Sequence, residues 1–210
     1  MKGLFITFEG IDGSGKSTQI DLATRYLTEK GYRVYLTREP GGCPISEKIR
    51  EVLLDPENKG MDPITEALLY AAARAQLIDS VLLEKKNEGY VILCDRYLDS
   101  SIAYQAFGRN LGIEFVKTVN RAADKMVPDM TLYFKLSQEQ CDERINRQLR
   151  DRDRLERESV EFFQRVIAGF DHIAKTEPDR VKTIKADDSI ERIALQIRVY
   201  LDGLLEGTHE

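Results

Sequence analysis

Tryptophan is missing from this 210-residue chain, histidine occurs twice and cysteine three times, at Cys43, Cys94 and Cys141. The cysteines are odd in number, far apart and in no CxxC pair, which argues against a disulfide framework and a zinc site. Cys94 closes an apolar run and reads as a buried small hydrophobe. No apolar run reaches the roughly 18 residues of a membrane span. The apolar stretch after Met1 is too short for a signal peptide. Repeats, low-complexity tracts and Ser/Gly linkers are also lacking, so a single domain over 1–210 is expected. A strong charge of one sign is absent as well: 31 Lys+Arg against 36 Asp+Glu gives −5. That balance excludes nucleic acid or an anionic membrane as the main partner. With 42% hydrophobic residues the chain is not disordered, and it is long enough to bury a sizeable core unaided. A cytoplasmic protein is expected.

What is present is alternation. Short β-branched runs at Leu4–Phe8, Val34–Thr37, Tyr90–Cys94, Met130–Leu136 and Val181–Lys185 read as strands. Helical spacing predicts helices over Ser17–Lys30 and Ser46–Leu54, then a long one opened by Asp62-Pro63 and running through Glu88. Further helices are expected over Asp99–Phe107, Ile113–Lys125, from Ser137 to about Leu149, and over Ser159–Thr176 and Ser189–Leu205. Strands alternating with helices imply an α/β fold: a five-stranded parallel sheet with helices on both faces.

Between the first strand and first helix lies Gly10-Ile11-Asp12-Gly13-Ser14-Gly15-Lys16-Ser17, a match to G-x-x-x-x-G-K-[ST]. Glycines let the backbone wrap phosphate oxygens with inward N–H groups, and the helix N-terminus adds a favourable dipole. Lys16 would reach the outer phosphates and the Ser17 hydroxyl would ligate Mg²⁺, with the ATP contacts running from Gly10 through Thr18. A Gly-rich turn with an accidental Lys is the competing reading, and the strand-loop-helix context weighs against it. The loop alone does not choose a reaction. A guanine-reading N-K-x-D after a late strand and a transporter L-S-G-G-Q segment are both missing, which weakens the switch and motor readings.

Three further clusters belong near this loop, because ligands gather at the carboxyl ends of strands in open α/β sheets. They are Thr37-Arg38-Glu39-Pro40-Gly41-Gly42, Asp95-Arg96-Tyr97 with the following Leu98-Asp99-Ser100-Ser101-Ile102-Ala103-Tyr104-Gln105, and the one-face pair Tyr70 and Arg74. Arg38 and Arg96 can fork onto an acceptor phosphate. Asp95, after a buried run, suits a carboxylate that holds Mg²⁺, and Glu39 suits either the metal or the acceptor. Taken singly, a strand-end Arg is ordinarily a surface charge and Tyr70 a core aromatic; their clustering favours a site.

With the phosphate loop, Arg38-Glu39-Pro40-Gly41-Gly42, the Tyr70 to Gln76 segment, Asp95 to Gln105 and an Arg-rich stretch in order, the chain closely resembles the thymidylate kinase family. The resemblance implies the P-loop nucleoside triphosphate hydrolase-like fold of nucleoside monophosphate kinases, with a short lid at about 148–158. It implies phosphorylation of dTMP to dTDP with ATP and Mg²⁺, and a homodimer. It assigns Asp12 to the deoxyribose 3′-hydroxyl, Arg38 and Arg96 to the dTMP phosphate, Tyr70 to stacking on thymine and Arg74 to a thymine carbonyl. Ser100 and Ser101 fall near the base, Tyr104 under the sugar where it would crowd a 2′-hydroxyl, and Gln105 at a position that varies among relatives. Cys43 stands where the family often has Thr. The loop itself carries no Arg, which is the bacterial arrangement, so the transfer arginine is expected from the lid, Arg150 and Arg154 before Arg152. The expected catalytic set is therefore Lys16, Glu39, Arg96, Arg150 and Arg154. Two rivals are a kinase for another nucleoside monophosphate and a non-catalytic nucleotide-binding protein.

Overall fold

A computed structural model describes residues 3–146 and 153–207. The strands are β1 (Leu4–Glu9), β2 (Val34–Arg38), β3 (Val91–Asp95), β4 (Met130–Lys135) and β5 (Val181–Lys185). All pair in parallel, in the order β2-β3-β1-β4-β5. The helices are α1 (Lys16–Glu29), α2 (Pro44–Leu54), α3 (Pro63–Leu77), α4 (Leu83–Asn87), α5 (Leu98–Ser101), α6 (Ile113–Val119), α7 (Gln138–Asn146), α8 (Val160–Thr176) and α9 (Ile190–Glu206). Every residue of the central β1 is buried, as a strand flanked on both sides and covered on both faces requires. The edge strands β2 and β5 are only partly covered.

Local chemistry sets the helix starts. Asp62 caps α3 by accepting the Ile64 N–H at 2.8 Å, Ser159 caps α8 through Phe162 at 3.3 Å, and Ser189 caps α9 through Arg192 at 3.3 Å. Helix α1 lays Ile20, Ala23 and Leu27 into the core. On the same side, α8 packs tightly against the segment after α5. A Cβ on Gly169 would lie 2.9 Å from the Ala103 Cα, so only glycine permits this approach. Among the described residues no helix is long and apolar enough to cross a membrane.

Three helices differ from the sequence expectation. The long helix from Asp62 to Glu88 is interrupted by a π-helical turn at Ile78–Leu82. The helix expected over Asp99–Phe107 is α-helical only to Ser101 and continues as a π-helix over Ile102–Gly108, with the Arg109 N–H reaching the Tyr104 carbonyl at 2.9 Å. Apolar spacing does not signal the extra residue per turn, and such turns often accompany functional sites. The helix expected to reach Lys125 stops at Val119, followed by a 3₁₀ turn at Arg121–Lys125. Its break falls at Asn120, which is buried with its side chain hydrogen-bonded to Arg74.

Register brings the site together. Phe8 of β1 and Arg38 of β2 both lie opposite Asp95 of β3. Three strands therefore end at one level, and the loops after them, beginning at Gly10, Glu39 and Arg96, become neighbours.

Candidate active site

The chain leaves β1 at Glu9 and turns at once. Gly10 has φ +140°, and a Cβ there would lie 2.7 Å from the Phe134 carbonyl of β4, so the loop starts in a space only glycine can occupy. Lys16, at the head of α1, is buried and donates Nζ hydrogen bonds to the Gly10 and Ile11 carbonyls at 3.1 and 3.2 Å. Burial, then the charge of Arg96, lowers its pKa below the ordinary lysine value. The ammonium is thus held across the loop, where phosphate oxygens would compete for it. Ser17 is exposed beside it. Arg144 of α7 reaches the same loop: its Nη1 donates to the Gly13 carbonyl at 3.4 Å and its Nη2 to that of Ala186 at 2.9 Å.

Beside the loop lies a cleft of about 540 Å³. Of the expected substrate residues, Asp12, Tyr70, Arg74, Arg96, Ser100, Ser101, Tyr104 and Gln105 all line it, together with Glu39. Arg96 connects the two halves of the site. Its Nη2 donates to Asp12 Oδ1 at 3.0 Å and its Nη1 to Ser100 Oγ at 3.1 Å, and its guanidinium lies 5.2 Å from the Tyr104 ring centre. Its backbone φ is +70°, a left-handed conformation unusual for a side chain of this size.

Glu39 and Arg74 form a buried pair at the cleft wall. Arg74 Nη2 lies 2.6 Å and Nε 2.8 Å from Glu39 Oε2, and Nη1 donates to Ser101 Oγ at 3.0 Å and Nη2 to the Tyr97 carbonyl at 3.0 Å. Burial pushes the Glu39 carboxyl up to about 7, against the lowering pull of Arg74. Arg74, expected to face a thymine carbonyl, is instead engaged on all three nitrogens, so any base contact has to share them. Glu39 Oε1 and Asp95 Oδ1 are buried without a partner among the described residues. Two such acceptors at adjacent strand ends suit a cation or a donating ligand.

Two of the expected arginines do not line the cleft. Arg38, expected on the acceptor phosphate, is 52% exposed in its side chain, pairs with Glu47 at 3.0 Å and does not line the cleft. It ends the edge strand β2, close enough to Arg50 for its charge, after burial, to lower the Arg50 pKa. Arg50 of α2 lines the cleft instead and donates to the Pro40 carbonyl at 2.8 Å. Arg154, expected to reach the transferred phosphate, is buried: its Nη1 binds Glu66 Oε2 at 2.7 Å and its Nε the Leu53 carbonyl at 2.7 Å. It anchors the end of the lid to α2 and α3. Arg150 and Arg152 lie outside the described residues, as does the lid before residue 153.

Glu66 is the centre of that anchor. It also accepts from Arg109 Nη2 at 2.9 Å and Gln105 Nε2 at 2.9 Å. Burial raises its pKa, but the hydrogen bonds and charges of Arg109, Gln105 and Arg154 outweigh this and hold it below the usual carboxylate value. Its contribution to stability is therefore present above about pH 4.5 and lost on acidification. Removing it strands the buried Arg154 guanidinium, while the partly buried Arg109 keeps Glu158 at 2.6 Å. Glu66→Ala is expected to cost about 3–5 kcal/mol in urea unfolding; a loss below about 1 kcal/mol would contradict the anchoring role.

The sequence reading missed Glu9, Arg50, Glu66 and Arg144. For Glu66 a signal existed: Glu66, Tyr70 and Arg74 recur every four residues and share a helix face. Glu9 was signalled too, as an acid closing a strand that is apolar apart from Thr7.

Comparison with known proteins agrees with this geometry. The family model described as thymidylate kinase matches residues 8–197. The chain is 46% identical over 212 residues to the thymidylate kinase of Pelotomaculum thermopropionicum, covering 99% of this chain and 98% of that protein. It is 47% identical over 201 residues to the thymidylate kinase of Geobacter sulfurreducens, covering 93% and 94%. Among solved structures, thymidylate kinase from Ehrlichia chaffeensis superposes with a TM-score of 0.78 at 33% identity, covering 95% of this chain and 98% of that one.

Proposed function

The chain belongs to the thymidylate kinase family, and from that membership we propose how its residues divide the work of transfer. The enzyme phosphorylates dTMP to dTDP with ATP as donor. The phosphate loop, Gly10 to Thr18, takes ATP, with Lys16 drawn from its loop carbonyls onto the outer phosphates. Arg96 and Arg50 hold the acceptor phosphate, Asp12 meets the 3′-hydroxyl, and Tyr104 limits room beside the sugar. Tyr70 faces the base, with Ser100, Ser101 and Gln105 around it. Glu39 Oε1 is an unused acceptor that can orient the acceptor nucleotide by accepting from a water hydrogen-bonded to its phosphate. A lid arginine, Arg150 with Arg152 beside it, supplies the remaining positive charge, since Arg154 is held by Glu66.

Mg²⁺ fits the residues present. No cluster of three or more His, Cys, Asp or Glu side chains could hold a metal among the described residues, as suits an ion held mainly by phosphate oxygens with one or two protein ligands. Asp95 and Ser17 would be those ligands, and the ion would neutralise developing charge on the phosphates. The reading also includes a single kinase domain over 1–210 and a cytoplasmic homodimer; exposed Ile45, Val52, Ile64 and Leu68 on α2 and α3 favour self-association.

One observation carries the acceptor reading: Arg96, directly after the strand next to β1, reaches Asp12 inside the phosphate loop at 3.0 Å, joining the donor and acceptor halves. A coupled ADP-release assay across dTMP, dUMP, AMP, GMP, UMP and CMP tests it. The kcat/KM for dTMP is expected to exceed that for each ribonucleotide by about 100-fold or more. Equal turnover of UMP and dUMP would remove the role given to Tyr104.

A further inference from the structure

We propose that Glu9 is a positioning residue for Arg96, fixing the guanidinium that receives the acceptor phosphate; this rests on the reading of Arg96 given above. Glu9 ends the central strand, is fully buried and immediately precedes the phosphate loop. A carboxylate there is costly to bury and must be well bonded. Its two oxygens serve the segment that carries Arg96: Oε1 accepts the Tyr97 N–H at 2.7 Å and Oε2 accepts the Ser100 hydroxyl at 2.5 Å. The Ser100 hydroxyl has one proton. Because it donates to Glu9, its oxygen is left to accept from Arg96 Nη1 at 3.1 Å. Glu9 thereby sets the direction of the bond that orients the guanidinium.

The backbone gives a second reason. A non-glycine residue at φ +70° persists only where its surroundings over-determine it. Around Arg96 they do. Its own N–H donates to the Phe8 carbonyl at 3.0 Å, and its carbonyl accepts from Cys94 Sγ at 3.0 Å. The next N–H, that of Tyr97, is the one taken by Glu9. Phe8 and Glu9 are consecutive, so the end of β1 grips the peptide units on both sides of Arg96. The same two residues lead directly into the phosphate loop. The acceptor arginine is therefore placed in the frame of the donor site, and misplacement by even about 1 Å at such a site lowers rate by roughly a hundredfold.

Steady-state kinetics on Glu9→Gln, Arg96→Ala and the double variant test this. Glu9→Gln keeps the shape of the side chain but replaces one acceptor oxygen by a donor. It is expected to lower kcat/KM for dTMP about 10- to 100-fold while KM for ATP moves less than about threefold. In the Arg96→Ala background the same change is expected to add less than about twofold, because a residue acting through Arg96 has nothing left to position. A folded Glu9→Gln enzyme with unchanged dTMP kinetics, or a loss that multiplies with that of Arg96→Ala, would overturn the inference. If Glu9→Gln does not fold, Glu9→Asp, which keeps the charge on a shorter arm, is put through the same cycle with the same criteria. Arg96→Ala with normal dTMP kinetics would instead remove the reading of Arg96, and this inference with it.

Discussion

Lys16→Ala is expected to lower kcat by about 10³-fold or more, equivalent to roughly 4 kcal/mol of transition-state stabilisation. The loop's other contacts to phosphate are backbone N–H groups, which carry only partial charge. Lys16 is the full positive charge that this loop contains, since Asp12-Gly13-Ser14-Gly15 has no arginine. Its burial excludes the water that would otherwise screen it. The variant should still fold. The lysine is a buried cation already disfavoured by desolvation and by Arg96, and Ala leaves only the Gly10 and Ile11 carbonyls without their Nζ partner. Thermal unfolding should move by a few degrees while turnover collapses. A Lys16→Ala enzyme with near-normal kcat would contradict the assignment of this loop to the transferred phosphate.

Arg96→Ala is expected to lower kcat/KM for dTMP by about 10²- to 10³-fold with ATP affinity changed less than about threefold. Three contacts go at once: those to Asp12, Ser100 and the Tyr104 ring. All three partners line the acceptor cleft, Asp12 from its place in the phosphate loop. On the donor side the change is mildly favourable, because Arg96 is one of the charges that lower the Lys16 pKa, and removing it eases the protonated lysine. Steady-state kinetics with each substrate varied in turn, together with ATP titration by a fluorescent analogue, separate the two sides. A fall in ATP affinity as large as the fall in dTMP kcat/KM would contradict the division of the site drawn here.

Much of the site was legible because it is local. The glycine spacing of the phosphate loop, its place between a strand and a helix, and the motifs at the ends of β2 and β3 are properties of short segments. Parallel register then does the rest, since strands that end level bring their following loops together. The π-helix at Ile102–Gly108 was not legible, because Ile102 to Ala106 are all buried, the polar Gln105 included, and a segment covered all round has no period to separate the two helices. Glu9 was overlooked for a related reason. An acid at a strand end usually marks the start of solvent, and only the layers around β1 make this one interior.

The arginines mark the boundary most clearly. By itself the sequence determined the fold class, the ATP-binding loop and the supply of cations around it, because composition and period-2 or period-3.6 patterns record what each segment does on its own. Only the tertiary structure decided which cation lines the cleft and which is paired elsewhere. Arg38, Arg50, Arg96 and Arg154 carry the same guanidinium, yet one pairs with Glu47 at the surface, two line the cleft, and one is buried against Glu66. The physical reason is that a buried guanidinium goes where an acceptor or carboxylate compensates its desolvation, and those partners come from elements distant in the chain: Asp12 for Arg96, Glu39 for Arg74, Glu66 for Arg154.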